Sequence, residues 1–438
     1  MNKTAAVIGG GFAGVEAAVQ LARAGVHVDL YEMKPHRFSP AHSSENLAEL
    51  VCSNSFKAER LASAAGLLKT EMERLGSLCV ECAKKTKVPA GGALAVDRDL
   101  FSAMVTQRIE QTENITVIRR EVSALPQADC VIIAAGPLAS DALSPVLNEL
   151  CGEGLHFFDA AAPIVSADSI DPAFSFAQSR YDRGGEDDYI NCPMNKEEYE
   201  VFYEALITAE GAHLHEVDKK KDVYEGCMPI EVLAKRGKDA IRYGPMKPVG
   251  LIDPNTGHRP WAVLQLRKEN AQGTLYNLVG FQTNLKFGEQ QRVFSMIPAL
   301  KNAKFERFGV MHRNTFIDSP RLLNSAFQLK KHPHIFFAGQ ITGVEGYMES
   351  AASGLLAGLN AARFLSGKSP LVLPAQTMLG ALSAYVADES VKNFQPMGAA
   401  MGLLPPGQEK IRDRAARYEK LSLRSLEALD SLIAEERI

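Results

Sequence analysis

The chain has one tryptophan, no long apolar run and little net charge, and each shortage excludes something. No hydrophobic stretch approaches the roughly 20 residues needed to cross a bilayer. The first apolar run is short and glycine-rich, without a basic region and cleavage site, so no secretory signal is expected. Net charge is −4, from 48 Lys and Arg against 52 Asp and Glu. There is therefore no global basic field, and any contact with nucleic acid must use local patches. Seven cysteines, odd in number and scattered, make no disulfide framework and read as reduced thiols of a cytoplasmic protein. Cys79 and Cys82 form a C-x-x-C, but no second pair completes a zinc site, and no metal is expected.

What is present begins at the N-terminus. Ala5–Gly9 reads as a buried strand, Gly9-Gly10-Gly11-Phe12-Ala13-Gly14 fits G-x-G-x-x-G, and Val15–Ala24 has helical spacing. Gly25 stops that helix, Val26–Tyr31 is a second strand, and Glu32 closes it. A strand, a glycine turn, a helix and an acid about 20 residues on define a dinucleotide-binding βαβ unit. Gly9 permits the tight turn, Gly11 lets a pyrophosphate approach the backbone, and Gly14 lets helix and strand pack closely. The helix N-terminus offers N–H groups and a positive dipole end to phosphate. Glu32 accepts from ribose hydroxyls and repels a 2′-phosphate, which argues against bound NADP.

The 438 residues exceed one ordinary core and point to two or three domains. Cys52 lies in a loop that a doubly wound fold would place at the ligand crevice, where a nucleophile and an inert thiol are equally compatible with composition. Ala58–Leu75 is helical by spacing, and the helix is expected to continue through Cys79 and Cys82, which favours a packing role for that pair. Cys130–Ala135 is an apolar strand ending in Gly136-Pro137, like the second nucleotide-contacting turn of flavoproteins. Residues 163–304 change character, with shorter apolar runs, more turns and antiparallel strand patterns at Trp261–Leu266 and Leu275–Gly280. The expected organisation is an α/β, Rossmann-like dinucleotide-binding domain from 1–162 and 305–438, with a smaller α+β domain, 163–304, inserted in it. Within the insertion Cys227 follows Gly226 and precedes Pro229, on an irregular backbone where reactive groups tend to sit. His334–Gly339 is a returning strand, Gln340–Gly346 a turn, and Tyr347–Phe364 a helix rich in Ala, Gly and Ser. Its small residues would allow close approach to the first βαβ unit and to a planar cofactor, and its N-terminal dipole end would favour an anionic reduced flavin. No second G-x-G-x-x-G follows a strand, so a separate NAD(P)H domain is not expected. The tail, Gln408–Arg437, reads as a charged amphipathic helix.

The segments VIGGGFAGVEAA, ELVCSNS, VPAGGALAVDR, DAAAPIV, EGCMPIEV, GPMKPVGL, GFQTNL, GVMHRNTFI, FFAGQITGVEGYMESAASG and NFQPM occur in that order from Val7 to about Pro396. Together they resemble the folate- and FAD-dependent tRNA (uracil-5-)-methyltransferases, a GidA-like flavoprotein family. The resemblance implies FAD as cofactor, 5,10-methylenetetrahydrofolate and NAD(P)H as co-substrates, and methylation of C5 of uridine 54 in the tRNA T-loop. It implies Cys227 as the thiolate that adds to uracil C6 and Cys52 as its partner in proton transfer or adduct resolution, with the two roles exchangeable. The cofactor site it implies takes in Gly9, Gly10, Gly11, Phe12, Ala13, Gly14 and Glu32 from the first unit, and Gly136. From the returning segment it takes Gly339, Gln340, Gly343, Glu345, Gly346 and Tyr347. Arg98 and Tyr347 would position flavin or folate. Asn284 stands where many members carry His. Lys84–Lys87, Lys219–Lys221 and Lys235–Lys238 are the basic segments that could meet RNA phosphates. A ribosomal RNA uridine is an alternative target, and an FAD-dependent thiol/disulfide oxidoreductase using Cys79 and Cys82 an alternative chemistry. Oligomeric state stays open, with a monomer as the working expectation.

Overall fold

The first apolar run is strand β1 (Thr4–Ile8), which turns through Gly9 and Gly10 into helix α1 (Phe12–Arg23) and returns as β2 (His27–Glu32). The two strands are parallel, with Val7 opposite Leu30. This computed structural model describes residues 3–152, 155–182, 185, 188–212, 228–309, 311–391, 394–407, 409 and 411–437. Strands β3 (Ile115–Arg119), β4 (Cys130–Ile133) and the late β5 (Ile335–Phe337) complete a parallel sheet in the order β5-β4-β1-β2-β3. The inner strands β1 and β4 are nearly uniformly apolar because the sheet is covered on both faces. The chain steps outward from β1 to β3, then returns to the other side of β1, so the topological switch lies between β1 and β4. In such sheets ligands bind outside the carboxyl ends of the strands at that point.

Helix α2 (Tyr347–Leu365) follows β5 and lies against α1. Its small residues set the spacing. A Cβ on Gly354 would overlap the backbone of Ala13, and one on Gly358 would come within 2.7 Å of the Ala17 carbonyl oxygen. The two helices therefore meet backbone to backbone.

A second core belongs to an antiparallel six-stranded sheet with its own buried cluster, including Phe202, Leu264, Phe281 and Phe294. The chain passes between the two cores along an antiparallel ribbon, Leu155–Ala160 against Met311–Phe316. The strand patterns expected near Trp261 and Leu275 are found at Ala262–Lys268 and Leu275–Leu278.

The helix expected over Ala58–Leu75 is shorter and does not continue into the C-x-x-C. Ser55–Ala58 is a strand, Ser63 caps a helix over Ala64–Arg74, and Gly76, with φ +75°, breaks the chain. A separate helix, Leu78–Lys85, then begins at the Ser77 cap. Its first N–H groups are met by the buried carboxylate of Glu16 on α1, which accepts from Cys79 N at 2.8 Å. Among the described residues no helix is long and apolar enough to cross a membrane.

A second buried carboxylate ties down the C-terminal helix, Arg414–Glu436. Glu71 accepts from Met378 N (2.7 Å), Leu379 N (2.9 Å) and Ser425 Oγ (2.5 Å), and so joins three helices. Burial pushes its carboxyl from 4.5 up to about 7, against the lowering effect of those hydrogen bonds. The folded state thus holds this proton more tightly than the unfolded chain, so Glu71 costs stability as pH rises from 4.5 to about 7. The full penalty above that range is roughly 3 kcal/mol. Glu71→Gln should therefore flatten the fall in Tm between about pH 4.5 and 7 in thermal melts. An unchanged slope would contradict the assignment.

Candidate functional site

The carboxyl ends of β1 and β4, the first turn of α1 and the start of α2 enclose a cleft of about 420 Å³. One end is closed by Glu32, at the last position of β2. Its two oxygens accept from Gly10 N and Lys34 N, each at 2.9 Å, which fixes the carboxylate and leaves acceptor capacity on both. Behind it the buried Lys34 donates to Asn46 O at 2.5 Å and lies 3.3 Å from Glu49 Oε2. Burial and the Lys34 charge pull the neighbouring His42 imidazole below its usual value, toward the neutral form.

The middle of the cleft is the glycine turn. Gly9, with φ +106°, donates to Tyr31 O at 2.8 Å and makes the bend. A Cβ on Gly11 would meet nothing within 4 Å, so the space above it is open. A Cβ on Gly14 would overlap the Gly9 carbonyl oxygen. Gly14 thus serves helix–strand packing, whereas Gly11 serves the cleft.

The far end is formed by the returning segment and the Cys52 loop. Gly339 N donates to Ser353 Oγ at 2.7 Å, and Gln340 Nε2 to Glu345 Oε2 at 2.6 Å. Tyr347, the first residue of α2, donates from its hydroxyl to Cys52 Sγ at 3.1 Å and accepts from Cys52 N at 2.8 Å. Burial, reinforced by the Cys52 sulfur, holds the Tyr347 hydroxyl far above the usual phenol range, so it remains a donor. The Tyr347 ring joins Phe12, Phe56 and Phe101 in an aromatic cluster, with the Phe12 and Tyr347 centroids 4.9 Å apart.

The Cys52 loop is held by arginines from three elements. Arg98 donates to Leu50 O (2.6 Å) and Cys52 O (3.1 Å), Arg307 to Val51 O (2.7 Å), and Arg267 to Ser53 Oγ (2.8 Å). Arg98 also pairs with the buried Glu269 at 2.9 Å. Arginines 267 and 307 come from the second sheet, so that sheet fixes a loop of the cleft.

The expected nucleotide-site residues line this cleft with three exceptions, Gly14, Arg98 and Gly343. Gly14 lies beneath the turn. Arg98 lies behind the Cys52 loop and acts through it. Gly343, with φ +82°, would drive a Cβ into the Phe394 ring, so its smallness serves packing. Cys227 and Lys219–Lys221 lie outside the described residues. Met228 borders a second cavity, about 490 Å³, shared with Asn284, Lys235, Arg236 and Gln395. Lys84, Lys85, Lys87 and Lys238 each pair with a glutamate on partly exposed surface. Sequence reasoning missed Lys34, Lys57 and Glu349 as lining residues. Glu349 left one trace, an acid in the first turn of an otherwise small and apolar helix.

Cys79 and Cys82 are both fully buried, one turn apart on a single helix. Burial, with Glu16 adding to it, drives the Cys79 thiol well above its ordinary range, and burial pushes Cys82 up to about 11. Neither supplies a thiolate near neutral pH, which removes the basis for disulfide chemistry at this pair.

A long cleft with a carboxylate at one end, an open glycine at a helix N-terminus and an aromatic floor fits a flavin dinucleotide. Comparison with known proteins agrees. The GIDA family, described as Glucose inhibited division protein A, matches residues 4–369. The chain is 57% identical over 430 residues to Methylenetetrahydrofolate--tRNA-(uracil-5-)-methyltransferase TrmFO of Acetivibrio thermocellus, covering 98% of each chain. It is 54% identical to the protein of the same name from Lactobacillus gasseri, covering 100% of each. Among solved structures, Aquifex aeolicus GidA superposes with a TM-score of 0.70 at 17% identity, over 98% of this chain and 73% of that one, a likeness of fold.

Gly11→Val should fold normally, since the protein leaves room for the side chain, yet lose bound FAD at the pyrophosphate position. Stoichiometric yellow flavin in the purified variant would contradict the site. The double variant Cys79→Ala, Cys82→Ala should keep its flavin and at least a tenth of its turnover, roughly, once its folding is verified by circular dichroism.

Proposed function

This chain belongs to the GidA-like family of methylenetetrahydrofolate--tRNA-(uracil-5-)-methyltransferases, and from that premise we propose the reaction that its cleft performs. The protein transfers a one-carbon unit from methylenetetrahydrofolate to uracil C5 in tRNA, with FAD as cofactor. The finer target is uridine 54 of the T-loop, and the reductant is NAD(P)H. When bound, FAD supplies the electrons that turn a methylene into a methyl group.

The observation that carries this reading is Cys52, fixed at the end of the cleft away from Glu32 by the Tyr347 hydroxyl at 3.1 Å. Uracil C5 is a poor nucleophile. Addition of the Cys227 thiolate to C6 makes C5 enolate-like, so that it can take the one-carbon unit. The C5 proton must then leave, and expulsion of the cysteine restores the ring. Cys52 is the group for that proton, because Tyr347 and the arginine-bound loop hold its sulfur in one place. Glu32 and Gly11 would hold the adenosine half of the cofactor, and Tyr347 and Phe12 would take its flavin half. Arg98 is a positioning residue that acts by holding the Cys52 carbonyl.

The deciding experiment supplies labelled methylenetetrahydrofolate, NADH and unmodified tRNA. Label at uracil C5 is expected, and its absence in flavin-loaded protein would defeat the proposal. Replacing uridine 54 tests the T-loop assignment, and ribosomal RNA in place of tRNA tests the other target. Cys227→Ser should hold FAD and still be reduced by NADH, but methylate at least 10³-fold more slowly, roughly, and form no covalent adduct with 5-fluorouridine T-loop RNA. Cys52→Ser should slow turnover while still permitting the first addition. The opposite pattern of adducts would exchange the two roles.

A further inference from the structure

The Tyr347 end of the cleft holds an ion pair that neither the nucleotide fingerprint nor the cysteine chemistry explains. Lys57 lies on the short strand Ser55–Ala58, whose pairing with Ala93–Val96 slips in register between Ser55 and Ala58. Its φ is +63°, a left-handed conformation that a residue with a long side chain adopts only when its surroundings impose it. The imposing group is Lys69. From helix Ala64–Arg74 its buried ammonium donates to Phe56 O (2.7 Å) and Ala58 O (2.8 Å), the carbonyls on either side of Lys57, and to Ala65 O (2.8 Å).

Irregularities of this kind re-aim a side chain beside a site. Here the Lys57 side chain enters the cleft wall, with Nζ 2.8 Å from Glu349 Oε1. The Lys57 side chain is half exposed, whereas Glu349 is buried in the first turn of α2 and also accepts from Ala399 N at 3.1 Å. A Cβ on Gly346 would overlap the Glu349 carboxylate and come within 3.0 Å of Lys57 Nζ. The pair is therefore seated against the turn that opens α2, next to Tyr347.

We propose that Lys57, aimed by the slipped strand and held by Glu349, is the cation that sets the reduction potential of the flavin. The proposal rests on the FAD reading above. Glu32 and the glycine turn take the adenosine half, which leaves the Gly346–Tyr347 end for the isoalloxazine. Hydride transfer from NAD(P)H moves two electrons and one proton to the ring, releases NAD(P)+ and leaves one net negative charge on the flavin. A fixed ammonium at that end stabilises the charged product over the neutral oxidised ring, and the carboxylate beside it moderates the effect.

The test is the flavin midpoint potential in holoenzyme, measured by dye equilibration for wild type and three variants. Lys57→Met should lower the equilibrium constant for two-electron reduction about tenfold, a shift of about 30 mV to more negative potential. Lys57→Arg, which keeps the charge, should stay within about threefold of wild type. Glu349→Gln removes the opposing charge and should shift the potential the other way. This sign separates a field effect from general disturbance of the site. Unchanged potentials in flavin-loaded Lys57→Met, or shifts of the same sign in Lys57→Met and Glu349→Gln, would overturn the proposal. If Lys57→Met cannot retain FAD, the direction of the Glu349→Gln shift decides alone. Wild-type protein that binds no flavin would instead defeat the functional reading on which the proposal rests.

Discussion

The site depends first on the backbone contact between α1 and α2. These helices come from opposite ends of the chain, and no side chain separates them where Gly354 and Gly358 meet Ala13 and Ala17. That spacing brings the turn at Gly346 and Tyr347 to the cleft that begins at Gly9–Gly11. A methyl group on Gly354 would displace α2 and, with it, the hydroxyl that holds Cys52. Close packing of this kind tolerates little added volume, typically at a cost of about 1–3 kcal/mol per overpacked position.

The second constraint is charge taken out of water. Glu16, Glu71, Glu269 and Glu349 are all buried, and each accepts from a definite partner: a helix start, a junction of helices, an arginine or a lysine. Buried carboxylates are retained where partners satisfy them. Of the four, Glu349 lines the cleft. The same logic silences the C-x-x-C, since Glu16 beside Cys79 makes a second negative charge unfavourable there. A motif that looks redox-active on paper is, in three dimensions, the capped end of a core helix.

The two cores also cooperate. Arg267 and Arg307 reach from the second sheet to the loop carrying Cys52, so the loop's shape belongs to neither part alone. The double-stranded ribbon that joins the parts gives the second sheet a fixed seat from which to do this. A reactive side chain held from several elements is pre-organised, which lowers the entropic cost of reaching a productive geometry.

Much of this was legible in the residues. The Gly9–Glu32 pattern specified a strand, a turn, a helix and an acid, because each has a local cause: apolar run, glycine, 3.6-residue spacing, strand end. The small residues of Tyr347–Leu365 announced a close approach, though not to which partner atoms. Local signals failed where the deciding contact is distant in sequence. The break at Gly76 was hidden because the apolar spacing runs through it, and the acid that caps the next helix lies on α1. Arg98 was expected against the cofactor and instead holds a carbonyl, because only the fold brings Cys52 beneath it. Lys57 and Glu349 are separated by 292 residues, and nothing in either neighbourhood marks them as a pair. Sequence by itself determined the nucleotide-binding unit, the fold class and the family, since these rest on local pattern. Tertiary structure alone decided which cysteine thiols are silent and which charges face the cleft, since burial and opposed charges depend on what the rest of the chain puts beside them.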